Sequence, residues 1–349
     1  LAGHINADRF AIYCTCDDKD EVIECIHKIG EGLKDITEAL KIPNIIPYYG
    51  ISHWKHGKKV EEAYSEANFA KNQVKERKDI SYQFYSHEDT LKILENRAME
   101  DEFAGAISNG QFDIWYQPKY NPVDNKLVGA EALVRWKHPK RGLLYPDSFI
   151  GILEKTGIIY KLDNFIWEKA AEKIKEWNAA GYEDYHISVN ISAKDFYYLD
   201  LYKVLTDIVR RYGIAPKHLN LEITETVIMS DVKMHMEILD RLQKFGFQIE
   251  IDDFGSGYSS LNTLKDIKAD LLKIDMLFLR ETDNQERSRK ILKFIITMAK
   301  ALNMDVITEG VETEKQLDFL SGIGCEMFQG FYFSKPIPVD KFEDKYFQS

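Results

Sequence analysis

From residue 112 onward, short apolar runs alternate with longer stretches in which apolar residues recur every three or four positions. The first pattern is that of buried strands, the second that of amphipathic helices. Strands are predicted at 112–117, 127–135, 186–191, 220–224, 248–252, 271–274, 306–309 and 327–330. Helices are predicted at 148–156, 162–180, 199–212, 233–245, 259–264, 285–301 and 314–322. Eight strands with interleaved helices in about 240 residues suit an α/β fold closed into a TIM-like (β/α)8 barrel. An open doubly wound sheet is the competing architecture, and it would gather polar groups at one switch point. The first two strands are separated only by a short turn containing Pro122 and Asp124. They are therefore predicted to be antiparallel neighbours, which makes the barrel irregular at its first strand.

The front of the chain reads differently. Strands at 10–14 and 45–51 flank a helix at 20–40, followed by a helix at 60–75 and a short strand at 82–85. This is a partial α/β unit with too few strands for a complete common domain. Between 89 and 108, Leu91, Ile93, Leu94, Met99, Phe103 and Ala106 share one broad helical face. The predicted organisation is a partial domain over 1–86, a connecting helix over 87–109 and the barrel over 110–349.

Composition narrows the picture. The chain has 349 residues, 44% of them hydrophobic, so a sizeable core is available. A net charge of -11 argues against DNA or RNA polymers and acidic membranes as partners. It leaves room for a small anionic substrate, because bound cations can reverse the sign locally. The four cysteines, Cys14, Cys16, Cys25 and Cys325, lack zinc spacing and fit a reducing compartment. No apolar run reaches the roughly 18 residues of a membrane span, so no membrane contact is expected from this cytoplasmic segment. The chain opens on Leu1, and a strand follows almost at once. A cut inside a larger protein is expected, with upstream sensor or membrane regions possible in the whole.

The chemistry lies in where the acids fall. Glu131, Glu222, Asp252, Asp253 and Glu309 stand at or near the ends of separate predicted strands, and Asn190, Lys273 and Gln329 occupy comparable places. Carboxylates gathered from many strands repel one another unless cations neutralise them. Oxygen donors of this kind suit Mg2+ or Mn2+ and point to hydrolysis of a phosphate ester. Adjacent Asp252 and Asp253 can both face the site only if the chain turns there, which Gly255 and Gly257 would ease. Plainer roles compete at each position. Asp252 or Asp253 could cap a helix, Lys273 could be a structural ion pair, and Arg135 a surface salt bridge beside Trp136. Gln117 and Gln329 could be packing hydrogen bonds, and Glu225 a first-turn helix acid.

The segment Gly129-Ala130-Glu131-Ala132-Leu133-Val134-Arg135-Trp136 resembles the signature of the EAL family of cyclic di-GMP phosphodiesterases. The resemblance continues through Tyr116-Gln117-Pro118, Val189-Asn190-Ile191-Ser192-Ala193 and Leu221-Glu222-Ile223-Thr224-Glu225. It includes Asp252-Asp253-Phe254-Gly255-Ser256-Gly257, Leu272-Lys273-Ile274-Asp275, Glu309-Gly310-Val311-Glu312-Thr313 and Gln329-Gly330-Phe331. It implies hydrolysis of cyclic di-GMP to linear 5'-pGpG with two Mg2+ or Mn2+ ions. By this resemblance Glu131, Asn190, Glu222 and Asp252 hold one ion. Asp252, Asp253 and Glu309 surround the second, and Lys273 orients the attacking water. Arg135 contacts substrate phosphate, Gln117 and Gln329 position ligands, and Glu225 and Glu312 support the loop that carries Gly255 and Gly257. Thr308 stands where the family often has alanine and would add a hydroxyl near the site. A homodimer through the barrel is a further implication. The second reading is a catalytically silent EAL domain that senses cyclic di-GMP and signals through a partner protein.

The front unit resembles the later part of a degenerate GGDEF domain, the diguanylate cyclase family. Its signature turn would be Asn6-Ala7-Asp8-Arg9-Phe10, without the glycines and the glutamate. Lacking them, with Arg9 where an acid should help hold metal, it is not expected to make cyclic di-GMP.

Overall fold

The computed structural model describes residues 1–6, 9–16, 18–43, 45–54, 57–74, 81–121, 126–254, 268–275 and 285–347. Two compact units emerge, Leu1–Ala98 and Met99–Ser349, and the division falls inside the helix His87–Ala106. In the first unit, Ala2–Asn6 pairs antiparallel with Arg9–Ile12. The helix Lys19–Leu40 begins where Asp18 accepts a hydrogen bond from the Glu21 amide at 2.9 Å and ends at Lys41 in the left-handed region. Tyr49–Ile51 and Tyr82–Phe84 form a short parallel pair beside the helix Val60–Val74. Ala2–Asn6 is an element the sequence pattern does not reveal; the other front elements lie within a few residues of their predicted positions.

The second unit is the predicted closed barrel. Its strands are β1 Phe112–Asn121, β2 Lys126–His138, β3 His186–Asn190, β4 Leu219–Thr224, β5 Ile249–Phe254, β6 Leu271–Ile274, β7 Asp305–Thr308 and β8 Met327–Phe328. Strands β2 to β8 run parallel in chain order. β1 is antiparallel to both β2 and β8 and closes the ring. Chain length explains this: the few residues between Asn121 and Lys126 cannot form the crossover that parallel strands require. The helices Ile159–Ala179, Leu201–Tyr212, Val232–Phe245, Gln285–Ala301 and Glu314–Gly322 follow the predicted pattern. The helix predicted at 259–264 lies outside the described residues.

Alternation along each strand sorts its side chains. Ile187, Val189, Leu221, Ile223, Ile249, Ile251, Leu272 and Ile274 are wholly buried between strand and helix. Burying each contributes about 1.5–3 kcal/mol. Several inward positions carry polar groups instead, among them Glu131, Glu222, Asp252 and Lys273. Because no crossover helix follows β1, its outer face needs another cover. The C-terminal helix Val339–Tyr346 supplies it: Phe342 stacks on Trp177 at 5.6 Å and lies 5.9 Å from Tyr116. That helix was not predicted, nor were the short strands Gly142–Leu144 and Ile337–Pro338, which add to β2 and β1. Among the described residues, no helix is long and apolar enough to cross a membrane.

One polar pair lies between the helices. Asp195 caps the short helix Ala193–Tyr198, accepting from the Ser192 amide at 2.7 Å and hydroxyl at 2.9 Å. Burial first, and then the charge of Asp195, hold the Asp163 carboxyl well above its ordinary value of 3.8. A raised folded-state pKa gives stability that is complete below the unfolded value and lost as pH rises through the folded one. Asp163→Asn keeps a donor toward Asp195 without a titrating proton. It is expected to raise stability at pH 8 by at least about 1 kcal/mol relative to wild type, with little gain at pH 4. Thermal melts of the two proteins at both pH values check this.

Candidate active site

The barrel rim is organised around one ammonium. Lys273, inward-facing on β6 and 1% exposed, lies 2.5 Å from Glu309 Oε1, 3.0 Å from Asp252 Oδ1, 3.1 Å from Glu222 Oε1 and 3.5 Å from Glu131 Oε2. Four carboxylates from β2, β4, β5 and the end of β7 thus converge on it. Burial opposes its charge, but Asp252, Glu131, Glu222 and Glu309 outweigh burial and hold its pKa well above the usual lysine value. The plain reading of Lys273 as one ion pair is therefore too small, since its partners span the barrel.

Glu131 is held from three sides. Gln329 donates to its Oε2 at 2.6 Å and Asn190 to its Oε1 at 3.4 Å, while Lys273 faces Oε2. Gln329 also donates to Gln117 Oε1 at 3.0 Å, and Gln117 donates to the Ser334 carbonyl at 3.3 Å. This chain of amides links β1, β2 and the end of β8.

Asp252 and Asp253 reach the rim through a bulge. The β5–β6 register shifts between Ile251 and Phe254, and Asp253 takes φ 54°, a left-handed conformation that aspartate tolerates better than most residues. Its amide donates to Asp252 Oδ1 at 2.8 Å. The turn expected at this point is thus made by Asp253 itself. Asp253 is exposed, and Gly255 and Gly257 lie outside the described residues.

Arg135 is buried rather than at the surface. Its guanidinium lies 5.2 Å from the Trp115 ring centre and 5.1 Å from that of Tyr145, and among the described residues its Nε has no hydrogen-bond partner. A buried cation with an unused donor suits an anionic ligand. Glu225 begins the helix Glu225–Ser230, directly after β4, and Thr224 caps it. The Glu312 amide donates to Gln316 Oε1 at 2.9 Å within a capping arrangement. Thr308 departs from expectation. Strand alternation turns it outward, where its hydroxyl lies 3.1 Å from Cys325 Sγ, so it adds nothing to the rim.

A second polar layer lies on the same inward faces, and it was missed from the sequence. Lys119, Ser188, Asn220 and Glu250 stand two residues from Gln117, Asn190, Glu222 and Asp252 respectively. That spacing of two was the available signal.

Does this set fit a cation? Burial, reinforced by Asp252 and Glu131 and only partly offset by Lys273, pushes Glu309 up to about 8. Burial pushes Glu222 up to about 6, and among the described residues its Oε2 has no hydrogen-bond partner. One lysine therefore does not satisfy these acids. The donors are carboxylate oxygens and one amide, the chemistry of a hard divalent ion. Among the described residues, no three acids stand arranged as a ready ligand cage, because they turn toward Lys273. A bound ion would take over some of those contacts.

Gly330 holds the two sides of the rim together. A Cβ there would meet the Val311 carbonyl oxygen at 2.2 Å and its amide nitrogen at 2.4 Å. Gly330→Ala is expected to separate Gln329 from the Glu309 segment, costing about 2 kcal/mol or more in denaturant unfolding.

A closed α/β barrel with acids of several strands gathered at one end carries its polar groups where barrels of this kind place their sites. Residues 100–336 match the EAL domain, and the chain belongs to that family. It is 35% identical over 288 residues to the cyclic di-GMP phosphodiesterase NbdA of Pseudomonas aeruginosa, covering 82% of this chain and 37% of that protein. It is 34% identical over 275 residues to the bifunctional diguanylate cyclase/cyclic di-GMP phosphodiesterase MucR of the same organism, covering 79% and 40%. The chain spans less than half the length of these curated relatives. The solved PaMucR phosphodiesterase in complex with c-di-GMP shares 36% identity at a TM-score of 0.67, covering 70% of this chain and 99% of that one.

Proposed function

We propose that this chain hydrolyses cyclic di-GMP to linear 5'-pGpG as a metal-dependent phosphodiesterase. The observation that carries this reading is the convergence of Glu131, Glu222, Asp252 and Glu309 on Lys273 at one end of the barrel. Family membership supports the substrate. Glu131, Asn190, Glu222 and Asp252 would hold one Mg2+ or Mn2+, and Asp252, Asp253 and Glu309 a second. Bound there, the ions would neutralise phosphate oxygens and make water more acidic.

The chain's own side chains supply the rest. Lys273 stays charged, which lets it orient the attacking water and stabilise its developing negative charge. Arg135 would grip a phosphate through its planar fork while Trp115 and Tyr145 hold the guanidinium flat. Gln329 and Asn190 fix both oxygens of Glu131. Glu225 and Glu312 would steady the loop containing Gly255 and Gly257. The Leu1–Ala98 unit would be the later part of a degenerate GGDEF domain, a reading supported by the hairpin of Ala2–Asn6 and Arg9–Ile12 at the expected signature turn. A homodimer through the barrel belongs to the same reading.

The test is hydrolysis of cyclic di-GMP and of pGpG as separate substrates, with Mg2+ or Mn2+. Conversion of the cyclic dinucleotide to pGpG is expected. Tight binding without turnover would overturn this reading in favour of a sensor.

A further inference from the structure

Beneath the rim, Lys119 forms the centre of a wholly buried cluster. Its ammonium lies 2.8 Å from Glu222 Oε1, 2.5 Å from Glu250 Oε2 and 2.6 Å from Ser188 Oγ. Ser188 donates to Glu250 Oε1 at 3.0 Å, and Asn220 donates to the same oxygen at 2.7 Å. Lys119, Ser188, Asn220, Glu222 and Glu250 are each at most 2% exposed. The reversed direction of β1 makes this possible. On β3, β4 and β5 the deeper inward residue precedes the rim residue by two, whereas on β1 Lys119 follows Gln117 by two. Each strand thus contributes one member to a lower layer.

Charge explains why the cluster is closed. Two carboxylates face one ammonium, so the buried charges compensate within the cluster. Serine, asparagine and lysine together occupy both Glu250 oxygens. Glu250 is therefore tied down below the rim, and the Lys119 ammonium meets Glu222 on one oxygen only. Glu222 Oε1 is fixed between Lys119 below and Lys273 at 3.1 Å, and among the described residues Oε2 makes no hydrogen bond.

We infer that Lys119, locked by Ser188 and Glu250, is a positioning residue that holds the Glu222 carboxylate with Oε2 presented for a divalent cation. This rests on the proposed metal-dependent reading of the rim. Lys119 contacts no reacting atom; it acts through Glu222. Partners that orient a ligating side chain commonly change metal affinity ten- to a hundred-fold.

The decisive variant is the charge-neutral pair Lys119→Met with Glu250→Gln. Lys119→Met alone leaves Glu250 buried and unpaired and is expected to melt at a lower temperature. The double variant removes one positive and one negative charge, so the local net charge is unchanged and folding is kept. The amide of glutamine retains an acceptor for Ser188 and Asn220. Mn2+ binding is measured on the full chain by electron paramagnetic resonance and calorimetry, without substrate. At least ten-fold weaker Mn2+ binding is expected in the double variant, with a melting temperature near wild type. Wild-type Mn2+ affinity in the folded double variant would overturn the inference. Wild-type protein that binds no Mn2+ would instead overturn the metal-dependent reading on which it rests. A Mn2+ titration of cyclic di-GMP turnover adds a readout that a purely structural role would not move. The Mn2+ concentration for half-maximal turnover should rise at least ten-fold, with the maximal rate at saturating Mn2+ changed much less.

Discussion

Glu131→Ala is expected to lower hydrolysis of cyclic di-GMP by at least about a thousand-fold, equivalent to roughly 4 kcal/mol of transition-state stabilisation. Glu131 lies on β2, and its oxygens meet Gln329, Asn190 and Lys273. Alanine removes a proposed ion ligand and releases three neighbours from their shared partner. Gln329 would retain Gln117 at 3.0 Å, so the amide chain between β1 and β8 should persist. Folding should not suffer much. Four carboxylates crowd Lys273, and removing one relieves repulsion among the rest. Chromatographic assay of pGpG at saturating Mn2+, paired with a thermal melt, separates the two effects. Turnover within ten-fold of wild type in a folded variant would remove Glu131 from the catalytic set.

The barrel was legible because its outer face is written in apolar runs and its helices in a period near four. The rim was legible for a related reason: an acid at the end of an apolar strand breaks the pattern once per strand. Antiparallel β1 could be read from the short connection to Lys126 alone. Other features depend on three-dimensional context. The helix Val339–Tyr346 exists to cover β1, a need visible only once the ring closes. The turn at Asp253 comes from a register shift between β5 and β6, which no local pattern records. Thr308 misled because proximity in sequence to Glu309 suggested proximity to the site, whereas alternation sends adjacent residues to opposite faces. Applied consistently, that same alternation would have disclosed Lys119, Ser188, Asn220 and Glu250, each two positions from a residue already chosen.

Lys273→Met separates two roles that a single lysine combines. In the cation-free protein, the four carboxylates that meet Lys273 would lose their shared positive partner in a site where Lys273 and Glu222 are almost wholly buried. Breaking a buried ion pair from one side costs about 3–5 kcal/mol, because the remaining charge stays uncompensated. A large fall in stability is therefore expected without divalent ions. Mn2+ can supply the missing positive charge, so stability should recover as it is added, more steeply than in wild type. Catalysis should not recover with it. An ion can neutralise carboxylates, but it does not replace an ammonium fixed at 3.0 Å from Asp252 and 2.5 Å from Glu309 to orient the attacking water. Turnover at Mn2+ concentrations that restore the melting temperature is thus expected to stay at least about a thousand-fold below wild type. Turnover returning together with stability would show that Lys273 balances charge and takes no part in positioning the water.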